Sequence, residues 1–197
     1  GIPCRKVPVE KLNSFTEKNH QGAVAFVAEI SYSNISDIIP TLYEAGKTPL
    51  IVALDGVTDI RNFGAISRTC ECAGVDAILL PSYCSATINA DAVKTSAGAL
   101  HYLPVCRTDN LCQAIKFLKD SGFTIIALSE KANIAYTDQD YSSPTVLVLG
   151  AEDRGISSEV LSLCDSKVKI PVLGKIESLN VSVAAGIVIY EAVKSRQ

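Results

Sequence analysis

The 197-residue chain has no Trp, only 6% aromatic residues and two His. Histidine-rich metal sites and a histidine-based nucleophilic triad are therefore poorly provided for. Neither His20 nor His101 accompanies a GxSxG serine, which is absent. The seven cysteines, at 4, 70, 72, 84, 106, 112 and 164, form no CxxC pair. That odd, scattered set argues against zinc and a disulfide framework, and for free thiols in a reducing cytosol. No apolar run approaches the roughly 20 residues of a membrane helix, and no signal peptide is read at the N-terminus. A soluble cytoplasmic protein is expected. There is no basic excess either: the net charge is −3. A generic nucleic-acid coat is thereby disfavoured, although an RNA enzyme with one local basic patch is not. Walker and GxGxxG fingerprints are missing, which leaves a dinucleotide-dependent oxidoreductase as a remote reading. The chain starts at Gly1 rather than Met, so it is read as processed or truncated, with another segment expected before it.

What is present is Val, Ile, Leu and Ala in short runs. Residues 50–54, 77–80, 124–128, 145–149 and 168–170 are strand-length and bounded by Gly, Pro or Asp-Gly breakers. Between them, 64–73, 110–120 and 180–194 place apolar residues at helical spacing. The last carries Val181, Ala184, Ala185, Val188, Ile189 and Ala192 on one stripe. Strands alternating with helices predict an α/β fold, a mostly parallel sheet with helices on both faces. The first 46 residues differ. Asn19-His20-Gln21-Gly22 reads as a turn, Ala23 to Ile30 as strand-like, 31–36 as loop and Asp37 to Ala45 as a short helix. Residues 1–46 are taken as the tail of a separate unit plus a linker, and 47–197 as the catalytic domain.

Ligands in open α/β sheets bind beyond the carboxyl ends of strands, so the loops after the runs are the places to look. Three stand out. In the first, residues 55–69, Asn62 sits where a helix cap would, Gly64 and Ala65 open the helix, and Arg68 faces away from Ile66. In the second, residues 149–156, Gly150 and Gly155 bracket Glu152, Asp153 and Arg154. Adjacent carboxylates repel a phosphate, so a polar ligand of another kind fits better. In the third, residues 170–186, a strand ends at Pro171 and Ser178 or Asn180 starts an Ala-rich helix with Gly186 inside it, where close packing would justify a glycine. Each alone reads equally well as a capped helix or a plain turn. Together they predict a pocket made of three loops.

In order and spacing, the three segments resemble the signature motifs of the SpoU (TrmH-like) RNA ribose 2′-O-methyltransferases of the SPOUT superfamily. The third, IPVLGKIESLNVSVAAG, is the most specific. The resemblance runs from about Lys47 to Gln197. The early GIPCRKV and the turn at 19–22 look like the segment closing an N-terminal RNA-binding domain. It implies a C-terminal trefoil knot, S-adenosylmethionine as cofactor without metal, RNA as substrate and a homodimer packed near the C-terminal helix. By position, Asn62, Arg68, Glu152, Ser178 and Asn180 match the family's active-site polar residues. Leu128, Ser129, Gly150, Ile170 and Leu179 match its cofactor contacts. The combination most resembles bacterial enzymes that methylate a guanosine ribose in large-subunit rRNA, with a tRNA ribose methyltransferase or a non-catalytic RNA-binding factor as alternatives. One departure is Ile60, where the family often has Pro, which removes a fixed φ from the first loop.

Overall fold

The computed structural model describes residues 4–25, 30–86, 88–176 and 178–196. Its centre is one sheet of eight strands, β1 (Tyr32–Ser33), β2 (Leu50–Asp55), β3 (Ala77–Pro81), β4 (Val105–Thr108), β5 (Thr124–Leu128), β6 (Ile134–Ala135), β7 (Thr145–Gly150) and β8 (Ser166–Lys169). The order is β1-β4-β3-β2-β7-β5-β8-β6, and every pairing is parallel. Among the described residues seven α-helices accompany it: α1 (Val9–Asn13), α2 (Ile35–Glu44), α3 (Ile60–Cys72), α4 (Ala90–Thr95), α5 (Leu111–Asp120), α6 (Ser158–Leu161) and α7 (Val181–Lys194).

The central strands are apolar on both sides because both sides are covered. In β2, Leu50, Val52 and Leu54 face a core shared with Ile66 and Cys70 of α3 and Ala185, Val188 and Ile189 of α7. Ile51 and Ala53 face the opposite core, with Ile39 of α2, Ile115 and Leu118 of α5 and Val160 of α6. The α/β class with helices on both faces is as expected. Two aspartates close the amino ends of the strands in the same way. Asp76 accepts from the Leu50 N–H at 3.0 Å and Asp165 from the Ile125 N–H at 2.9 Å, each carboxylate also held by a lysine.

Residues before Lys47 also contribute to this sheet: β1 pairs with β4, and Ile35 and Ile39 of α2 sit 9% and 2% exposed in the second core. This edge is thin, a two-residue strand and a helix with Pro40 inside. The turn at 19–22 is present, with φ positive at Gln21 and Gly22 and the Ala23 N–H donating to the His20 carbonyl. Of the strand-like run 23–30, residues 26–29 lie outside the described residues, as do Gly1 to Pro3 of the early segment. Among the described residues no helix is long and apolar enough to cross a membrane.

Two glycines on helices behave oppositely. A methyl group on Gly64 would lie 2.6 Å from Thr95 Cβ and 3.1 Å from the Ser96 nitrogen, so α3 and α4 touch only because position 64 is bare. On Gly186 it would meet nothing nearer than Thr69 Cγ2 at 3.8 Å, so the close packing expected there is not what the fold requires. Gly64→Ala should therefore destabilise by about 1–3 kcal/mol through overpacking. Gly186→Ala should stabilise by about 0.5–1 kcal/mol through helix propensity. Urea melts of the two variants check both signs.

Candidate functional site

β2 and β7 are neighbours whose ends are level, Asp55 opposite Gly150. From β2 the chain runs to α3 on one face, and from β7 to α6 on the other. A parallel sheet opens a crevice where connections diverge in this way. The first and second loops therefore stand side by side, and the third joins them because α7 begins at the same edge.

The first loop differs in detail from the sequence reading. Asp59, not Asn62, caps α3: its Oδ1 accepts from the N–H groups of Arg61 at 2.8 Å and Asn62 at 2.9 Å. Aspartate is as good a cap as asparagine, and nothing in Ile60-Arg61 breaks a helix, so α3 starts three residues earlier. Ile60 becomes the first helical residue, the position where proline is favoured, and it packs against the core instead. Asn62, released from capping, turns its side chain to the third loop.

There Asn180 caps α7 as expected, its Oδ1 accepting from the Ser182 N–H at 3.0 Å and the Val183 N–H at 3.4 Å. Its Nδ2 donates to Asn62 Oδ1 at 3.0 Å and to Glu152 Oε1 at 2.7 Å. The Val181 N–H adds a 3.4 Å bond to the same Glu152 oxygen, placing a carboxylate at the positive end of α7. One asparagine thus ties all three loops together.

The second loop is a closed turn. Ala151 and Gly155 exchange two backbone hydrogen bonds, of 3.1 and 2.8 Å. A side chain on Gly150 would fall on the backbone of Gly155 and Ile156. The chain's own turn, rather than a ligand's approach, therefore demands glycine there. Gly150→Val should abolish cofactor binding and also lower stability by more than about 2 kcal/mol, since backbone must move. Calorimetric titration beside a thermal melt checks this, and an unchanged melting temperature would contradict it.

Beside these loops lies a cavity of about 430 Å³, within the usual range for small-ligand sites. All five residues expected to contact cofactor line it: Leu128 and Ser129 after β5, Gly150 after β7, Ile170 after β8 and Leu179 before α7. Glu152, Ser178 and Asn180 line it as well. Asn62 reaches it only through Asn180. Arg68 does not line it: the side chain is exposed on α3, without an ion pair or hydrogen bond among the described residues. Glu152 is engaged with Asn180 rather than with Arg68. Sequence reasoning passed over Glu130, Lys131 and Val172, which also line the cavity, and left Arg154 without a role. Glu177 of the third segment lies outside the described residues.

The lining is apolar at Leu128, Leu149, Ile170 and Leu179, acidic at Glu130, Glu152 and Asp153, and basic at Lys131 and Arg154. A flat heterocycle carrying groups of both charge signs suits such walls. No cysteine lines the cavity, and burial pushes the Cys106 thiol up to about 12 and that of Cys164 to about 11, leaving them unreactive. Among the described residues no three His, Cys, Asp or Glu gather as a metal site.

The SpoU rRNA methylase family model matches residues 49–190. A TrmH family tRNA/rRNA methyltransferase of Staphylococcus saprophyticus is 33% identical over 99% of this chain and 78% of its own length. YacO of Bacillus subtilis, of the same description, is 33% identical over 100% of the chain and 79% of its own. Among solved structures, the SpoU methyltransferase AviRb of Streptomyces viridochromogenes, in complex with AdoMet, superposes with a TM-score of 0.75 at 27% identity, covering 84% of this chain and 66% of that one. The TrmH/SpoU tRNA modifying enzyme of A. aeolicus gives 0.69 at 35% identity, covering 82% and 83%. With the second and third signature loops lining one cavity, the first tied to them through Asn62, and the family match spanning residues 49–190, this chain belongs to the SpoU rRNA methylase family.

Proposed function

We propose that this protein transfers a methyl group from S-adenosylmethionine to a ribose 2′-hydroxyl of structured RNA, a guanosine of large-subunit rRNA being the first expectation. The observation that carries the reading is the bridge from Asn180 to Asn62 and Glu152 at the cavity mouth. It supports a built site rather than a retained fold without chemistry. Leu128, Ser129, Gly150, Ile170 and Leu179 would hold the cofactor. The cofactor supplies a methyl group on a good leaving group, so positioning and electrostatics carry most of the rate. The Glu152 carboxylate, fixed by Asn180 and the Val181 N–H, stands ready to accept the hydroxyl proton. Asn62 and Ser178 orient the ribose, and Arg68 offers a fixed cation to an RNA phosphate and the developing alkoxide. The trefoil knot and the separate N-terminal RNA-binding unit belong to the same reading. So does a homodimer: the stripe Val181, Ala185, Val188, Ile189 and Ala192 is spent inside the chain, but Val183 and Tyr190, each 52% exposed, lie with Ile187 on a second face of α7.

Tritium-methyl transfer to rRNA and tRNA, with the labelled nucleotide mapped, tests it. Label resistant to base removal and lodged on a 2′-oxygen is expected, undiminished by EDTA. Label on a base, or none in either RNA, would overturn it. A tRNA acceptor would redirect the substrate, as the A. aeolicus neighbour's description suggests for that enzyme.

A further inference from the structure

Beyond the three signature positions, one charged side chain at the cavity mouth has no part in the chemistry described so far. Arg154 lines the cavity from the closed 151–155 turn. Its guanidinium lies against Gly56, the residue that leaves β2 with φ +82°. A methyl group on Gly56 would stand 2.6 Å from Arg154 Nη2 and 3.4 Å from Nε. The bare backbone at 56 is thus the seat of the arginine, and it fixes a cation between the first and second loops.

Three carboxylates along this edge are committed elsewhere. Asp55 Oδ2 accepts from the Ser157 N–H at 2.7 Å and hydroxyl at 2.6 Å. Glu152 takes Asn180 and the Val181 N–H. Asp59 caps α3. Asp153, next in the chain and exposed, forms no ion pair with Arg154. Among the described residues Arg154 has neither hydrogen bond nor ion pair. A planar fork of five donors, seated against backbone and paired with no carboxylate among the described residues, is a site for an oxyanion from outside the chain.

We infer that Arg154, seated on Gly56, binds a backbone phosphate flanking the target ribose and so sets the register of the RNA at the cavity. The inference rests on the functional reading above. It makes Arg154 a substrate-binding residue, distinct from Arg68, whose effect is expected on the chemical step.

Its test is equilibrium binding, independent of methyl transfer. Fluorescently labelled bulk tRNA and rRNA fragments are titrated with wild-type, Arg154→Gln and Arg154→Lys protein over a range of KCl concentrations. Each phosphate contact contributes about 0.7–0.9 to the slope of log affinity against log salt. Arg154→Gln should lower that slope by about one contact and weaken binding of all the RNAs alike. Arg154→Lys should keep the slope but recover the affinity only in part, having lost the fork. Gly56→Ala, which unseats the guanidinium, should weaken RNA binding in the wild-type background and add nothing to Arg154→Gln. Affinity for S-adenosylhomocysteine, measured by calorimetry, should stay within about twofold in every variant. An unchanged salt slope in Arg154→Gln overturns the inference alone. A loss of S-adenosylhomocysteine affinity assigns the fork to the cofactor's carboxylate and overturns it too. Wild-type protein that binds neither RNA pool defeats the functional reading, and this inference with it.

Discussion

Asn180→Ala should cost about 1 kcal/mol of stability and at least about a hundredfold in methyl transfer. The stability loss is that of an ordinary N-cap, because Asn180 Oδ1 holds the first N–H groups of α7. The rate loss comes from the other end of the side chain. Without Nδ2, Glu152 keeps only the 3.4 Å bond from the Val181 N–H, and Asn62 loses its tie to the third loop. Removing one preorganised polar partner of a developing charge lowers rates by about 10²–10³-fold. Asn180→Asp separates the two roles. It keeps the acceptor that caps the helix but sets a second carboxylate beside Glu152, where like charges repel. Its melting temperature should stay nearer wild type than that of the alanine variant, while its rate falls as far. Single-turnover assays beside thermal melts make the comparison. An Asp variant with wild-type rate would mean that the bridge only caps a helix.

How legible this was from sequence depends on how each element is buried. β2, β5 and β7 are covered on both faces, so they stand out as unbroken apolar runs, and 50–54, 124–128 and 145–149 match them to within a residue. β8 has one apolar residue, Val168, in Ser166–Lys169, so the run read at 168–170 falls two residues late. β4, Val-Cys-Arg-Thr, has no run to see, and β1 and β6 are two residues each, defined only by their partners. The site shows the same division. Composition marked its loops because Gly150, Asn62 and Asn180 are turn and cap residues. Which asparagine caps and which bridges is settled by contact across 118 residues of chain, between Asn180 and Asn62, and no local pattern encodes that. The cap was misassigned for the same reason: Asp59 and Asn62 are equivalent candidates until the third loop claims one.

Arg68→Ala is the substitution that best separates chemistry from binding. The structure places Arg68 on α3 six residues beyond Asn62, about 9 Å along the axis, exposed and outside the cavity lining. Nothing in the chain holds it, so its removal should leave the fold within about 0.5 kcal/mol of wild type. Cofactor affinity should likewise be nearly intact, because no cavity wall is lost. If an RNA strand crossing the mouth ran along α3, a cation at this exposed position would meet its phosphates at low cost in desolvation. If that cation steadies the developing alkoxide through the adjacent phosphate, the single-turnover rate at saturating cofactor and RNA should fall by about 10² or more. Arg68→Lys keeps the charge without the planar fork and should rescue little. A solvated helix arginine with no task predicts a change under about twofold and the same stability. The two outcomes differ by more than an order of magnitude in a single rate. Near-wild-type chemistry in Arg68→Ala would remove this residue from the mechanism and leave the polar groups tied together by Asn180 at the start of α7 to account for the rate.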